Sequence, residues 1–419
     1  MTEQPALDRP RLAALQRDLA AGTAGALDAF WAEMTVRGTP LIEPITDDAR
    51  HMFVTFLWRG GDDVHNVVVW SGLVGFELPG NQMARLPGTD VWYLTAEARK
   101  DARTVYRLAP NDPLTPLLES PDFRARTAGW RPDPLNPRTY VFPKDEEDPE
   151  DRESVSSVLE LPAAPPQPWC ARRPDVPAGR VEMFRLRSET LGNERRVWVY
   201  TPPGYTPGAE PYGLLLLFDG WAYQVLVPTP TILDNLIAAG RIPPLVAVLP
   251  DSLNQETRSR ELPGYPPFAD YLAQELVPWV REHYHITTDP ARCVVAGSSF
   301  GGLAAAFAGL RHPELFGNVL SQSGSYWWKP DEDEEYEWYA RQFALAERLP
   351  LRFYLDVGIL EASAGRGGPS QVFASRHMRN VLQAKGYEVH YAEFGGGHDY
   401  LCWQGTLADG LLALIGDKS

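Results

Sequence analysis

The spacing of apolar residues differs between the two halves of the chain. Up to about residue 35, apolar side chains recur at helical spacing and Gly22 and Gly25 interrupt the pattern, which predicts a broken helical lead-in. Short alternating segments follow, and they predict strands at 52–58, 66–70, 91–94 and 104–108. Short strands at this spacing are typical of a β-sandwich, so we expect that fold in the first half.

In the second half, apolar residues form unbroken runs, as expected of parallel strands that are buried on both faces. Helical patterns such as 268–284 and 371–385 lie between several of the runs. This alternation predicts an α/β fold with a doubly wound sheet. The predicted strands are 197–200, 214–218, 245–249, 293–296, 319–321, 352–356 and 388–391.

Residues 143–168 have a composition unlike either half. An acidic run covers 144–151, and proline is frequent at 162–168. Neither stretch has the apolar residues needed for a core, so we expect a solvated linker. The predicted organisation is therefore a helical lead-in and β-sandwich at 1–142, a linker at 143–168 and an α/β domain at 169–419.

Charge and composition exclude several classes of function. The chain has 419 residues and a formal net charge of −16, which argues against a nucleic-acid partner. We expect no membrane span, because no run of about 18 apolar residues occurs. The first eight residues lack the pattern of an export signal. The 3 cysteines form neither a disulfide framework nor a metal site, so we expect a cytoplasmic protein without a metal or cofactor of its own.

The strongest chemical signal is the turn Gly297-Ser298-Ser299-Phe300-Gly301. A predicted buried strand precedes it and a helix of small residues follows, which is the strand–turn–helix context of a nucleophile elbow. We therefore predict that Ser299 is the nucleophile of a serine esterase. Ser298 occupies the wrong position in the pattern. The alternative is a glycine-rich turn without chemical use.

A serine nucleophile needs a general base and an acid. In α/β-hydrolases the acid follows the serine along the chain, and the histidine follows the acid. Among the histidines after Ser299, His398 lies in a glycine-rich loop after the last predicted strand, where the base is required. His312, His377 and His390 lie in or beside regular elements. Two carboxylates lie near the end of the strand 352–356. We favour Glu361, in the loop after it, over Asp356, which is on or beside the strand.

Stabilising the developing oxyanion requires two backbone N–H groups. One is expected from Phe300, which follows the nucleophile. The other is expected in the loop after the strand 214–218, from Gly220 or Trp221.

Several strings together resemble one family, the enterochelin (ferric-enterobactin) esterases. In the second half these are Phe218-Asp219-Gly220-Trp221, Arg258-Ser259-Arg260-Glu261-Leu262, Ser321 to Trp328, Gly358-Ile359-Leu360-Glu361 and Gly396 to Trp403. In the first half, segments 54–59, 90–93 and 133–137 resemble that family's immunoglobulin-like N-terminal domain. The resemblance extends from about residue 35 to about residue 415 and favours Glu361 as the acid.

This resemblance implies an α/β-hydrolase that opens catecholate trilactone siderophores in the cytoplasm, with iron present only as part of the substrate. A ferric tris-catecholate is a trianion with flat rings. Arg258 would supply a cation, and Trp327 and Trp328 would supply stacking surfaces. The alternatives are a surface ion pair between Arg258 and Glu261 and an ordinary core role for the tryptophans.

The acidic run 331–335 fits this substrate poorly, because carboxylates repel a trianion. Either the run points away from the site or the substrate is less anionic. Two other functions therefore stay open: a carbohydrate esterase of the feruloyl or acetyl type, and a non-catalytic binding protein with the same fold. The missing export-signal pattern argues against the carbohydrate esterase, and the presence of Ser299, His398 and Glu361 argues against a pure binding protein. The siderophore esterase is therefore the favoured hypothesis.

Overall fold

The chain is divided into two compact units. The computed structural model describes residues 10–120, 122–208, 210–362 and 369–416. A β-sandwich unit comprises 1–142, 153–165 and 395–397, and an α/β unit comprises 143–152, 166–394 and 398–419. The expectations for the first nine residues, on helix and export signal, lie outside the described residues.

The β-sandwich unit begins with two helices, followed by two antiparallel sheets with strand orders β1-β2-β5-β4 and β3-β6-β8-β7. The helices are α1 (Pro10–Ala20), α2 (Ala26–Arg37) and α3 (Phe123–Thr127). The strands are β1 (Leu41–Pro44), β2 (His51–Arg59), β3 (Val67–Trp70), β4 (Ala84–Arg85), β5 (Val91–Arg99), β6 (Arg103–Pro110), β7 (Thr139–Phe142) and β8 (Ser154–Glu160). A short 3₁₀ turn covers Leu117–Glu119.

Side-chain alternation along β2 explains how this unit is layered. Val54 and Phe56 belong to a buried cluster with Leu108 of the other sheet, which forms the sandwich core. Leu57 points to the opposite face and is buried in a second cluster with Phe30 of α2. Both the predicted helical lead-in and the predicted sandwich are therefore present in the described residues.

The α/β unit is built on one sheet of eight strands in the order β16-β15-β14-β13-β11-β12-β10-β9. Its pairs are parallel except those that β10 makes with β9 and β12. The strands are β9 (Arg180–Ser188), β10 (Asn193–Thr201), β11 (Gly213–Leu217), β12 (Leu245–Pro250), β13 (Cys293–Ser298), β14 (Asn318–Gln322), β15 (Arg352–Gly358) and β16 (Glu388–Phe394).

Helices cover both faces of this sheet and complete an α/β-hydrolase fold, as predicted. They are α4 (Ala222–Val225), α5 (Thr229–Ala238), α6 (Gln255–Glu261), α7 (Pro266–Tyr271), α8 (Val277–His283), α9 (Phe300–Arg311), α10 (Trp338–Leu345), α11 (Gln371–Ala384) and α12 (Tyr400–Ile415). A π-helical turn, Leu272–Leu276, joins α7 to α8, and 3₁₀ turns cover Pro290–Arg292 and Ile359–Glu361. Among the described helices, none combines the length and hydropathy needed to span a bilayer.

Strand β13 lies at the centre of the sheet, between β14 and β11. Because β11, β13, β14, β15 and β16 run parallel, the loops after their carboxyl ends meet along one edge. The sheet therefore brings residues that are far apart in sequence to one place.

The prediction of a solvated linker at 143–168 is wrong for two of its segments. Residues 154–160 form β8, which pairs with β6 and β7. Ser156 and Ser157 of this strand are buried, and Ser156 Oγ accepts from Arg107 Nε at 2.8 Å. In the acidic run, Asp145 Oδ1 accepts from Arg196 Nη1 of β10 at 3.0 Å. A polar composition predicts solvation only where the polar groups lack partners in the protein, and here the fold supplies those partners.

Candidate active site

The turn after β13 holds Ser299 in a conformation that residues other than glycine rarely adopt. Ser299 has φ 59° and ψ −120°, and α9 begins at the next residue, so its side chain lies at a helix N-terminus. A Cβ on Gly297 would lie 2.6 Å from the backbone of Gly301, so strand and helix can approach this closely only because position 297 is glycine. Backbone strain of this kind costs about 1–3 kcal/mol and is typical of active sites.

The loops after β15 and β16 bring His398 and Glu361 together. Nδ1 of His398 lies 2.6 Å from Oε2 of Glu361. A carboxylate only accepts, so Nδ1 carries the proton and Nε2 is left as the acceptor that a general base requires. The other oxygen, Oε1, accepts from Gly358 N at 2.8 Å and from Ser323 Oγ at 2.7 Å. These two donors fix the orientation of the carboxylate.

Among the described residues, no hydrogen bond joins Asp356, the alternative acid, to His398. Asp356 Oδ1 accepts from Ser323 N at 2.9 Å, and the residue is 1% exposed. Burial raises the pKa of Asp356 to about 8, although hydrogen bonds from Thr406 and Ser323 oppose the shift. Of the two carboxylates considered, the structure places Glu361 at His398.

The Ser299 hydroxyl has a neighbour that the sequence did not indicate. Its Oγ lies 3.4 Å from Oγ of Ser325, and Ser325 N donates to the Ser299 carbonyl at 3.2 Å. Among the described residues, no hydrogen bond joins Ser299 Oγ to His398. Catalytic hydrogen bonds are often long without substrate and tighten when substrate binds.

Of the three expected oxyanion donors, Gly220 is excluded by its hydrogen bond. Its N–H donates to the carbonyl of Pro250 at 2.9 Å, at the end of β12. The preceding Asp219 has φ 57°, which turns the chain so that this N–H points at the neighbouring strand. No hydrogen bond of the Trp221 or Phe300 N–H occurs among the described residues, so these two stay available as donors.

Arg258 pairs with Asp219. Its Nε and Nη2 donate to the two carboxylate oxygens, both at 2.8 Å. The alternative partner, Glu261, is bound instead by Arg195 at 2.8 Å. The proposed surface ion pair of Arg258 with Glu261 is therefore wrong.

The two tryptophans have different surroundings. The Trp327 ring centroid lies 6.3 Å from that of Phe300, next to the nucleophile. Trp328 packs at 6.0 Å against both Trp338 and Tyr339, so the core role fits it better. Both side chains are half-buried.

The acidic run after the tryptophans is partly neutralised. Within 331–335, Asp333 and Glu335 bind Arg341 at 2.6 and 3.0 Å. Asp331, Glu332 and Glu334 are exposed to solvent, where charges are strongly screened. The repulsion expected from this run is therefore reduced.

Comparison with known proteins identifies the family of the chain. Residues 53–170 match the family model "Enterochelin esterase, N-terminal", and residues 188–414 match the model "Putative esterase". The iron(III) enterobactin esterase of Dickeya dadantii (strain 3937) is 32% identical over 425 residues, which cover 93% of each chain. The chain belongs to the enterochelin esterase family.

Solved structures of this family superpose on nearly the whole chain. The ferric enterobactin esterase of Salmonella typhimurium has a TM-score of 0.73 and 31% identity, covering 92% of this chain and 98% of the other. The enterobactin esterase of Shigella flexneri, determined in the presence of enterobactin, has a TM-score of 0.71 and 30% identity, with coverage of 92% and 97%. The structural similarity therefore extends over both halves of this enterochelin esterase family member.

Three residues at the site of this family member have no assigned role from the sequence. Ser323 and Ser325 lie in the segment 321–328, for which the sequence shows only a family resemblance. Ser323 has φ 44° and contacts both Glu361 and Asp356. Asp219 lies in the loop expected to supply an oxyanion donor, but its partner Arg258 is far along the chain. Only the folded chain places them at the site.

Proposed function

We propose that this chain is a serine hydrolase that cuts the ester bonds of a catecholate trilactone siderophore of the enterobactin type. The hydrogen bond between His398 and Glu361, at the sheet edge that carries the strained Ser299, is the observation that supports it most. The substrate class is supported by family membership and by the relatives named as enterobactin esterases.

In the proposed mechanism, His398 Nε2 removes the proton of the Ser299 hydroxyl as Oγ attacks the ester carbonyl. Glu361 holds the imidazole in the required tautomer and stabilises its charge. The N–H groups of Phe300 and Trp221 stabilise the oxyanion, with about 3–4 kcal/mol expected from each such donor. The alcohol leaves with the proton from His398, and water then hydrolyses the acyl-enzyme through the same groups. Opening the trilactone weakens the chelate and favours iron release.

Two features of the chain support this substrate and its location. Trp327 beside Phe300 offers an aromatic face to a catecholate ring. We place the reaction in a reducing cytoplasm, because 3 cysteines in a chain of 419 residues do not make a disulfide framework.

The experiment that tests this proposal gives purified enzyme ferric enterobactin, iron-free enterobactin and a feruloyl ester in parallel. Chromatography is expected to show linear products from a trilactone. In Ser299→Ala, turnover is expected to disappear while binding of the trilactone survives, because the hydroxyl contributes little to affinity. Products from the feruloyl ester alone would contradict the siderophore assignment, and unchanged turnover in Ser299→Ala would contradict the assigned nucleophile.

A further inference from the structure

The ion pair between Asp219 and Arg258 lies between the two loops that carry the candidate oxyanion donors. Asp219 directly follows Phe218 and precedes the Gly220–Trp221 segment, and its backbone has a positive φ of 57°. Arg258 on α6 holds both of its carboxylate oxygens at 2.8 Å. Ser252 Oγ adds a third hydrogen bond to Oδ1, at 2.7 Å. The carboxylate that begins this loop therefore has a fixed position.

The same pair contacts the nucleophile turn. Arg258 Nη2 lies 3.4 Å from the carbonyl oxygen of Ser298, the residue before the nucleophile. Its guanidinium carbon lies 5.8 Å from the ring centroid of Phe300. A Cβ on Gly301 would come within 3.3 Å of Asp219 Oδ2, so the turn packs closely on the carboxylate. One ion pair thus links the segment before Trp221 to the segment that contains Phe300.

Charge balance also favours a role inside the protein over substrate binding. The side chains of Arg258 and Asp219 are 18% and 5% exposed. Burial disfavours the guanidinium charge, and the Asp219 carboxylate outweighs this effect and raises the pKa of Arg258. A cation already neutralised by a bidentate carboxylate attracts a trianion only weakly.

We propose that Asp219 and Arg258 are positioning residues that hold the Trp221 and Phe300 N–H groups at the correct separation for the oxyanion. This inference rests on the proposed esterase function. It replaces the expectation that Arg258 binds the anionic substrate. Displacement of catalytic groups by about 1 Å can lower the rate about 100-fold. Loss of the ion pair between Asp219 and Arg258 is therefore expected to lower kcat strongly.

The test uses two esters and three variants. The esters are ferric enterobactin, which is a trianion, and p-nitrophenyl butyrate, which is neutral. The variants are Asp219→Asn, Arg258→Lys and the double variant, with Arg260→Lys as the matched control because Arg260 lies on the same helix with a 53% exposed side chain. Circular dichroism gives the folded fraction, to which each rate is normalised.

We expect each single variant to lower kcat by about 10- to 100-fold on both esters, with KM changed by less than about threefold. The double variant is expected to lose little more than either single variant, because both changes remove one interaction. Arg260→Lys is expected to match the wild type.

Three results would overturn the inference: unchanged kcat in the single variants, additive losses in the double variant, or a loss seen only as higher KM for the trianion. The last result would assign Arg258 to substrate binding. If the wild type cleaves only the neutral ester and the variants still lose kcat, the siderophore assignment fails and the positioning role stands. If the wild type cleaves neither ester, both proposals fail.

Discussion

At the residue scale, the orientation of Glu361 is set by donors on the side opposite His398. Gly358 N and Ser323 Oγ both donate to Oε1, so Oε2 is left to face the imidazole. The acid therefore does more than supply charge, because it also determines which nitrogen of His398 carries the proton.

Replacing Glu361 by glutamine tests this arrangement. The amide oxygen is expected to stay on the two donors, which turns the NH₂ group toward Nδ1 of His398 and favours the wrong tautomer. We expect kcat to fall by about 10²- to 10⁴-fold, with a smaller change in KM. Steady-state kinetics at pH 7 on the ester that the wild type cleaves measures the effect.

Asp356→Asn is the matched comparison for that variant. Because the pKa of Asp356 is raised to about 8 by burial, its carboxyl is mostly neutral at pH 7, and asparagine preserves its shape and its acceptor for Ser323 N. We expect a much smaller loss of kcat than in Glu361→Gln. A larger loss in Asp356→Asn would make Asp356 the acid.

At the element scale, the nucleophile elbow depends on two backbones passing in close contact. Gly297 lies at the end of β13, and a Cβ there would meet the carbonyl carbon and oxygen of Gly301, both at 2.6 Å. Both contacts are with backbone, so no side chain can rotate to relieve them.

Gly297→Ala is therefore expected to destabilise the fold by about 1–3 kcal/mol, as overpacking of a well-packed site does, and to lower kcat by displacing Ser299. Gly208→Ala is the control, because a Cβ at Gly208 would have no atom within 4 Å. Thermal unfolding and kinetics of both variants measure the effects. Equal melting temperatures and rates would show that the elbow tolerates a side chain at position 297.

The elements that could be predicted from the sequence are those with a strong local pattern. Apolar runs identified β11, β12 and β13, and the turn residues identified the elbow. Strand β8 was missed because it lies between the acidic run and the proline-rich stretch, and its pairing with β6 and β7 is not visible in the local sequence. The hydrogen bond from Gly220 N–H to the Pro250 carbonyl could not be predicted from the sequence either, since it depends on the neighbouring strand.

The choice of acid shows the same limit within the candidate site. Glu361 and Asp356 are close in sequence, and position after the strand favoured Glu361 without excluding Asp356. The decisive contacts come from Ser323, after another strand, which donates through its side chain to Glu361 and through its N–H to Asp356. Pairings between loops are set by sheet order, which no local pattern encodes.

At the scale of the whole molecule, the acidic segment changes the division of the chain. The chain leaves the β-sandwich unit after residue 142, contributes 143–152 to the α/β unit and returns to the β-sandwich unit for 153–165. Arg196 of β10 holds the segment 143–152 on the α/β unit, because it binds Asp145 and also donates through Nε to Asp251 at 2.7 Å. Some of the carboxylates behind the net charge of −16 are therefore paired with arginine inside the protein.

Neutralising Asp145 is expected to loosen this segment. The Arg196 guanidinium, together with a backbone hydrogen bond, outweighs burial and lowers the pKa of Asp145 below its ordinary value of 3.8. Its contribution is therefore present above pH 3.8 and is lost as the pH falls through the lowered pKa. At pH 7 we expect Asp145→Asn to lower the free energy of unfolding by about 1–3 kcal/mol, the loss typical of a charged hydrogen bond.

Glu146→Gln is the matched control, because Glu146 pairs at 3.2 Å with Lys144, whose side chain is 38% exposed, and its own side chain is 84% exposed. We expect it to change stability by less than about 0.5 kcal/mol. Urea unfolding at pH 7 and pH 3 measures the free energies, and hydrogen exchange of the amides of 145–151 locates the change. The difference between Asp145→Asn and the wild type should shrink at pH 3. A difference that is equal at both pH values would show that the carboxylate of Asp145 does not anchor the segment through its charge.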